Sequence, residues 1–218
     1  MYVHELYFCS VICSGSYFFL LTLNPPAPAG LTPQNSMATI KWVLDPTHSE
    51  VQFKIKHLVI STVTGSFKTF EGTVETESDS FETAKIHFSA DIDSIDTNQA
   101  QRDQHLKSAD FFHAEQHPKL TFESTSLRKT GEGEYQLEGN LTIKGETHPV
   151  TLAVEYGGTA TDFYGNEKAG FEVSGKISRK EFGLTWSGVT EAGAIVVSDE
   201  VKLLASVQFA KVKEEVAA

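Results

Sequence analysis

Apolar and polar residues alternate one for one along most of this chain, and few folds accommodate that pattern. Val51, Phe53 and Ile55 share one face of a stretch whose other face is Gln52, Lys54 and Lys56. Ile86, Phe88, Ala90 and Ile92 alternate with His87, Ser89 and Asp91, and Leu120 and Phe122 with Lys119, Thr121 and Glu123. Leu141 and Ile143 continue the pattern, then Phe171, Val173, Gly175 and Ile177, and last Val201, Leu203, Ala205, Val207 and Phe209. Period two is the repeat of a β-strand with one face buried. Turn-forming runs (KTFEG, KTGEGE, IKGETHP, YGNEKAG, TEAGA) separate the segments. The pattern predicts an all-β protein of about eight antiparallel strands. A sheet of that size can close into a barrel, which removes its edges and encloses either packed side chains or one ligand.

One stretch breaks the alternation. Between Thr97 and Glu115 the helix formers Gln99, Ala100, Gln101, Arg102, Leu106 and Lys107 dominate, which predicts a short helical insertion over about 97–115. Asp96 or Thr97 is placed to cap its start, and Ser108 to cap a second turn carrying Phe111 and Phe112. Pro118 holds His117 extended. Ala100, Leu106, Ala109, Phe111 and Phe112 give the insertion an apolar side that must bury, and a barrel offers its end or its interior. A plug or lid is the expected role.

Charge narrows the function. The 218 residues carry a formal net charge of −11, which disfavours nucleic acid as a partner. Residues 1–36 contain no Lys or Arg but hold both cysteines, Cys9 and Cys13, and Pro25, Pro26, Pro28 and Pro33. The preferred reading is an over-extended, disordered leader before a true start at Met37. A degenerate export signal is the first alternative and a genuine tail the second. SYFFLLTL is apolar but short and lacks a basic lead, and no run reaches the roughly 20 apolar residues of a membrane span. A start at Met37 implies a cytoplasmic protein, a working signal a periplasmic one. The domain is expected over 37–213, with a tail at 214–218.

Reactive chemistry is sparse. No cysteine follows Met37, and neither a G-x-S-x-G elbow nor a phosphate-binding glycine loop is present. His105, His113 and His117 lack the spacing of a zinc site, and Asp91, Asp93 and Asp96 lack the glycine and distal glutamate of a calcium loop. No catalytic residue, metal or cofactor is therefore expected. Arg102–Asp103 serves equally well as a head-group clamp or a helix-surface ion pair. Twelve of the fifteen phenylalanines lie in the domain, and a packed core and a ligand tunnel are alike in that respect.

The segments QRDQHLKSADFF and HPKLTF, with WVLDPTHSEVQFKIKHL, VTGSFKTFEG, FSADIDSIDT, GNLTIKGETHPVTL and ISRKEFGLTW, closely resemble the YceI-like family of lipid-binding proteins, in matching order from about Lys41 to Lys211. The resemblance implies an extended, lipocalin-like antiparallel β-barrel whose apolar tunnel holds an isoprenoid quinone or a polyprenyl phosphate. By that analogy Leu106, Phe111 and Phe112 enclose the ligand and the segment from Phe182 to Trp186 packs nearby. Phe53, Ile55, Phe67, Phe88, Phe122, Phe171, Phe182 and Trp186 become tunnel candidates beside Leu106, Phe111 and Phe112, and Arg102, Asp103 and His105 candidates for the head group. His113 stands where the family pattern suggests an acidic residue. The expected role is that of a binding or carrier protein. The alternatives are a small-lipid isomerase or hydrolase using the barrel interior, and a haem- or metal-binding barrel using His57 or His105. A homodimer is left open.

Overall fold

The computed structural model describes residues 39–58, 60–78, 80–188 and 196–213. The expectations for residues 1–36 and 214–218, and the TEAGA turn, lie outside the described residues. Among the described residues, eleven strands follow one another: β1 (Ile40–Leu44), β2 (Glu50–His57), β3 (Ser61–Phe67), β4 (Phe70–Thr76), β5 (Lys85–Asp91), β6 (Ile95–Asp96), β7 (Lys119–Lys129), β8 (Glu134–Ile143), β9 (Glu146–Thr161), β10 (Glu167–Ser178) and β11 (Val197–Lys211). The α-helix α1 (Ala100–Lys107) stands between β6 and β7.

Eight strands close a ring in the order β1-β4-β5-β7-β8-β9-β10-β11, and β11 returns to β1. Every pairing is antiparallel. Strands β2, β3 and β6 branch from β11. The last strand thus has two partners on one edge: Phe209 to Lys211 pair with β1, while Val197 to Ser206 pair with β2. Inward and outward residues fall where alternation puts them, because a one-residue slip would turn every apolar side chain to solvent. The β8–β9 turn needs left-handed backbone at both central residues, which Gly145 (φ 81°) adopts freely and Lys144 (φ 53°) tolerates.

The two barrel ends differ. At the end bearing the tips of β4 and β5, Phe81 fills the opening, with ring centroids 5.4 Å from Trp42, 5.6 Å from Tyr156 and 5.1 Å from Phe171. Such rings add about 0.5–1.5 kcal/mol per pair beyond their buried area. Outside this end, the carboxylate of Asp162 accepts bonds from the backbone N–H groups of Tyr164 and Asn166 and fixes the β9–β10 turn, on which Phe163 and Tyr164 stand fully in solvent. At the opposite end lies α1.

The start of α1 differs from expectation. Gln99 is the N-cap, and its side-chain oxygen accepts from the backbone N–H of Arg102. Asp96 instead accepts from Asn98 N (2.9 Å), because Asn98 turns left-handed (φ 60°) and delays the helix. Ser108 also acts differently: its hydroxyl donates back to His105 O (2.7 Å) and ends α1, while its backbone carbonyl accepts from Phe111 and His113 to start the next turn. His113 (φ 54°) then redirects the chain.

Candidate binding site: two adjoining chambers

The inward side chains do not fill the barrel. An inner chamber of about 190 Å³ is lined by Leu44, Val74, Phe88, Phe122, Leu137, Leu141, Val154, Phe171, Val207 and others, all apolar except Gln52. A mouth chamber of about 460 Å³ opens toward α1 and is lined by Ile55, Leu106, Phe111, Phe112, Leu184, Trp186 and Val197 with several polar residues. Phe53, Phe67, Leu120, Ile143 and Leu203 line both, so the chambers adjoin. Phe53 and Phe67 lie 5.9 Å apart at this boundary, and Phe53 has room because it lies against the bare backbone of Gly65, where a Cβ would come within 2.3 Å of its ring.

The insertion is held over the mouth by polar bonds around one residue. Thr97 is buried, and all three of its polar groups are bonded. Asp103 Oδ1 accepts from its N (3.0 Å) and its Oγ1 (2.5 Å), while Arg102 donates Nε–H to Oγ1 (2.7 Å) and Nη2–H to its carbonyl (2.6 Å). Arg102 and Asp103 therefore brace the start of α1. Three rings tie its end to the wall: His105 meets Phe111 and Trp186 edge-on at 5.0 and 5.2 Å, and Phe111 lies 5.2 Å from Trp186. Nε2 of His105 is 3.2 Å from Asp110 Oδ2.

Arg179 is absent from the candidates read from sequence. It is 3% exposed and lines the mouth chamber. Its guanidinium donates to the carbonyls of Leu184, Trp186 (2.8 Å), Ser198 (2.9 Å) and Val197 (3.4 Å), stitching two wall segments together. Burial draws its pKa down, against the charge of Asp199, which acts the other way. A signal for it exists: Phe171, Val173, Gly175 and Ile177 point inward, and two residues on is Arg179.

Of the residues singled out from sequence, Phe88, Phe122 and Phe171 line the inner chamber, Ile55, Leu106, Phe111, Phe112, Trp186, Arg102 and His105 the mouth, and Phe53 and Phe67 both. Phe182 lines neither chamber; it is wholly buried, edge-on to His148 at 5.1 Å. Asp103 lines neither and faces Thr97. His57 lines the mouth beside His105, and no group of three or more metal-ligating side chains gathers among the described residues. No described helix is long and apolar enough to cross a membrane. The arrangement offers a long apolar enclosure with a polar rim, which suits binding through shape and burial.

Comparison with known proteins adds relatives. The family model described as the YceI-like domain matches residues 42–209. Protein YceI of Salmonella newport (strain SL254) is 41% identical over 161 residues, covering 74% of this chain and 81% of its own. The crystal structure of a Campylobacter jejuni YCEI protein aligns with a TM-score of 0.61 at 35% identity, covering 74% of this chain and 91% of that one. A polyisoprenoid binding domain from Saccharophagus degradans, implicated in plant cell wall breakdown, aligns with a TM-score of 0.56 at 15% identity, over 78% of this chain and 98% of its own. At that identity the likeness is one of fold.

Proposed function

This chain belongs to the YceI-like domain family, and from that premise we propose that its barrel binds and carries a lipid with a long apolar chain, of the isoprenoid quinone or polyprenyl phosphate type. The observation that carries the reading is the inner chamber, whose lining is apolar at every residue but Gln52. Small barrels ordinarily fill with side chains. A hollow of about 190 Å³ costs on the order of 4–5 kcal/mol at roughly 24 cal/mol per Å³. An apolar chain seated there recovers that cost. It also leaves water at about 25 cal/mol per Å² of its own surface. The Saccharophagus degradans domain, named for polyisoprenoid binding, supports the same class of ligand.

The chain would enter past Leu106, Phe111 and Phe112, thread between Phe53 and Phe67, and end against the wall that Phe81 backs. Its head group would remain in the mouth. Two of the polar residues there serve the walls, Arg102 through Nε and Nη2 at Thr97 and Arg179 at four carbonyls, which supports holding a lipid without transforming it. The direct test is native mass spectrometry of the protein purified without detergent, followed by organic extraction. A bound mass that resolves to a prenyl lipid is the expected result. A protein that stays empty when offered quinones and polyprenyl phosphates would overturn the reading.

A further inference from the structure

Among the described residues, the mouth chamber is charged in one sense only: Lys56, Arg102 and Arg179 line it together with His57 and His105, and no described Asp or Glu does. The whole chain carries −11, so a described lining without a carboxylate departs from the composition around it. The nearby carboxylates have partners of their own at its border: Asp103 accepts from Thr97, Asp110 lies 3.2 Å from His105, and Asp199, whose charge also reaches Arg179, accepts from Ser178 Oγ (3.1 Å) and Lys180 N (3.2 Å).

Two guanidinium groups differ in what they have left to offer. Arg179 is buried with its donors on backbone carbonyls, which satisfy hydrogen bonds without neutralising its charge. A buried cation lacking a contacting anion is an unfavourable charge that an anionic guest would offset. Arg102 spends Nε and one Nη2 proton on Thr97, so of its five N–H groups the two on Nη1 and one on Nη2 make no hydrogen bond to the described residues. A guanidinium matches phosphate and carboxylate oxygens in pairs. The neutral head of a quinone would use little of this field.

We propose that the mouth chamber selects amphiphiles with an anionic oxygen head, phosphate or carboxylate, over neutral ones of the same chain, with Arg102 and Arg179 as the specificity-determining cations. This rests on the reading that the inner chamber takes an apolar chain. Affinity then divides along the molecule: the chain supplies burial in the inner chamber, and the head supplies charge at the rim.

The test is calorimetric binding of farnesyl phosphate, farnesol and inorganic phosphate to the full chain at low and high salt. Farnesyl phosphate is expected to bind about tenfold more tightly than farnesol at low salt, a difference of about 1.4 kcal/mol, with the ratio shrinking as salt screens the rim. Arg102→Gln should pull the ratio of the two affinities toward unity, while any loss of the Thr97 brace weakens both prenyl probes alike and leaves their ratio unaffected. Equal affinities for the two prenyl probes at low salt, or a ratio indifferent to salt, overturn the selection. Because the salt series uses the unsubstituted protein, it decides the matter even where Arg102→Gln folds poorly. An unchanged ratio in a folded Arg102→Gln variant overturns the role of Arg102. Inorganic phosphate binding as tightly as farnesyl phosphate makes the mouth a plain anion site and overturns selection of an amphiphile. Failure of both prenyl probes to bind defeats the underlying lipid reading, and this inference with it.

Discussion

The inner and mouth chambers share a wall but are built by different rules. Strands make most of the inner chamber, with Phe81 and Ala84 added from the β4–β5 loop: the lining is apolar except for Gln52, and strand alternation places most of it. The mouth is assembled from β2, the α1 insertion and the segment after β10, and Thr97 and Arg179 hold it through bonds to backbone and side-chain partners. A surface of one chemical kind can be specified by pattern. A surface with a polar rim requires particular residues at particular places, and a single change there removes several bonds together.

Arg179→Met is the strongest way to break that contrast. It leaves the carbonyls bonded by Arg179 in a buried wall without donors, and should lower unfolding free energy by roughly 3–5 kcal/mol in urea titration. A loss below about 1 kcal/mol would mean the mouth is held no differently from the inner wall. Next in size, Phe53→Ala should cost about 2–3 kcal/mol, less than a fully packed phenylalanine because its ring already borders open space. It should also join the two chambers, read as retention of longer prenyl chains. Unaltered chain-length preference would place the boundary elsewhere.

A smaller effect is expected from the lid. The double substitution Phe111→Ala with Phe112→Ala should reduce lipid retained per folded molecule by about tenfold, or 1.4 kcal/mol, measured by extraction from folded protein alone. Full retention with a lowered melting temperature would make both rings ordinary core.

Asp45 tests the seam outside both chambers. Its carboxylate lies 3.0 Å from Lys168 Nζ, beyond β11 on β10, and accepts from Thr47 Oγ1 at 2.6 Å. The Thr47 hydroxyl first, then Lys168 and His48, hold it far below the usual carboxylate range although burial pulls the other way. A carboxyl depressed by folding stabilises the fold fully above its unfolded pKa of about 3.9, and that contribution fades as pH falls further toward the folded value. Asp45→Asn should therefore cost about 1 kcal/mol at neutral pH and flatten the acid limb of the stability curve. An unchanged acid limb would remove the pair from the account. Least of all, Gln101→Ala at the exposed rim should stay within about 0.5 kcal/mol in either property.

What was legible in the sequence follows the same division. Alternation placed Phe53, Ile55, Phe88, Phe122 and Phe171 facing inward, and closure needed only the strand number. The insertion was visible as a failure of alternation, but its first residue was misplaced, since Asn98 in left-handed backbone moves the cap from Asp96 or Thr97 to Gln99. Arg179 went unread because a charged residue after a strand ordinarily faces water. Its phase with Ile177 was the available clue. Phe182 was a lining candidate by resemblance alone, and it instead packs edge-on to His148 from the 3-10 turn Arg179–Phe182, where strand alternation no longer sets which way a side chain faces.

The double allegiance of β11 bears on how the protein comes into being. That strand pairs with β10 on one edge and with both β1 and β2 on the other, so partners at the two ends of the domain wait for it. While the chain leaves the ribosome at roughly 5–20 residues per second, everything up to β10 can form only an open, curved sheet with its apolar side uncovered. The β1–β11 pairing joins residues separated by nearly the whole domain, which makes it the slowest kind of contact to form. The barrel therefore becomes a container only after synthesis has passed Lys211, and until then its apolar inner surface lacks the strand that closes it.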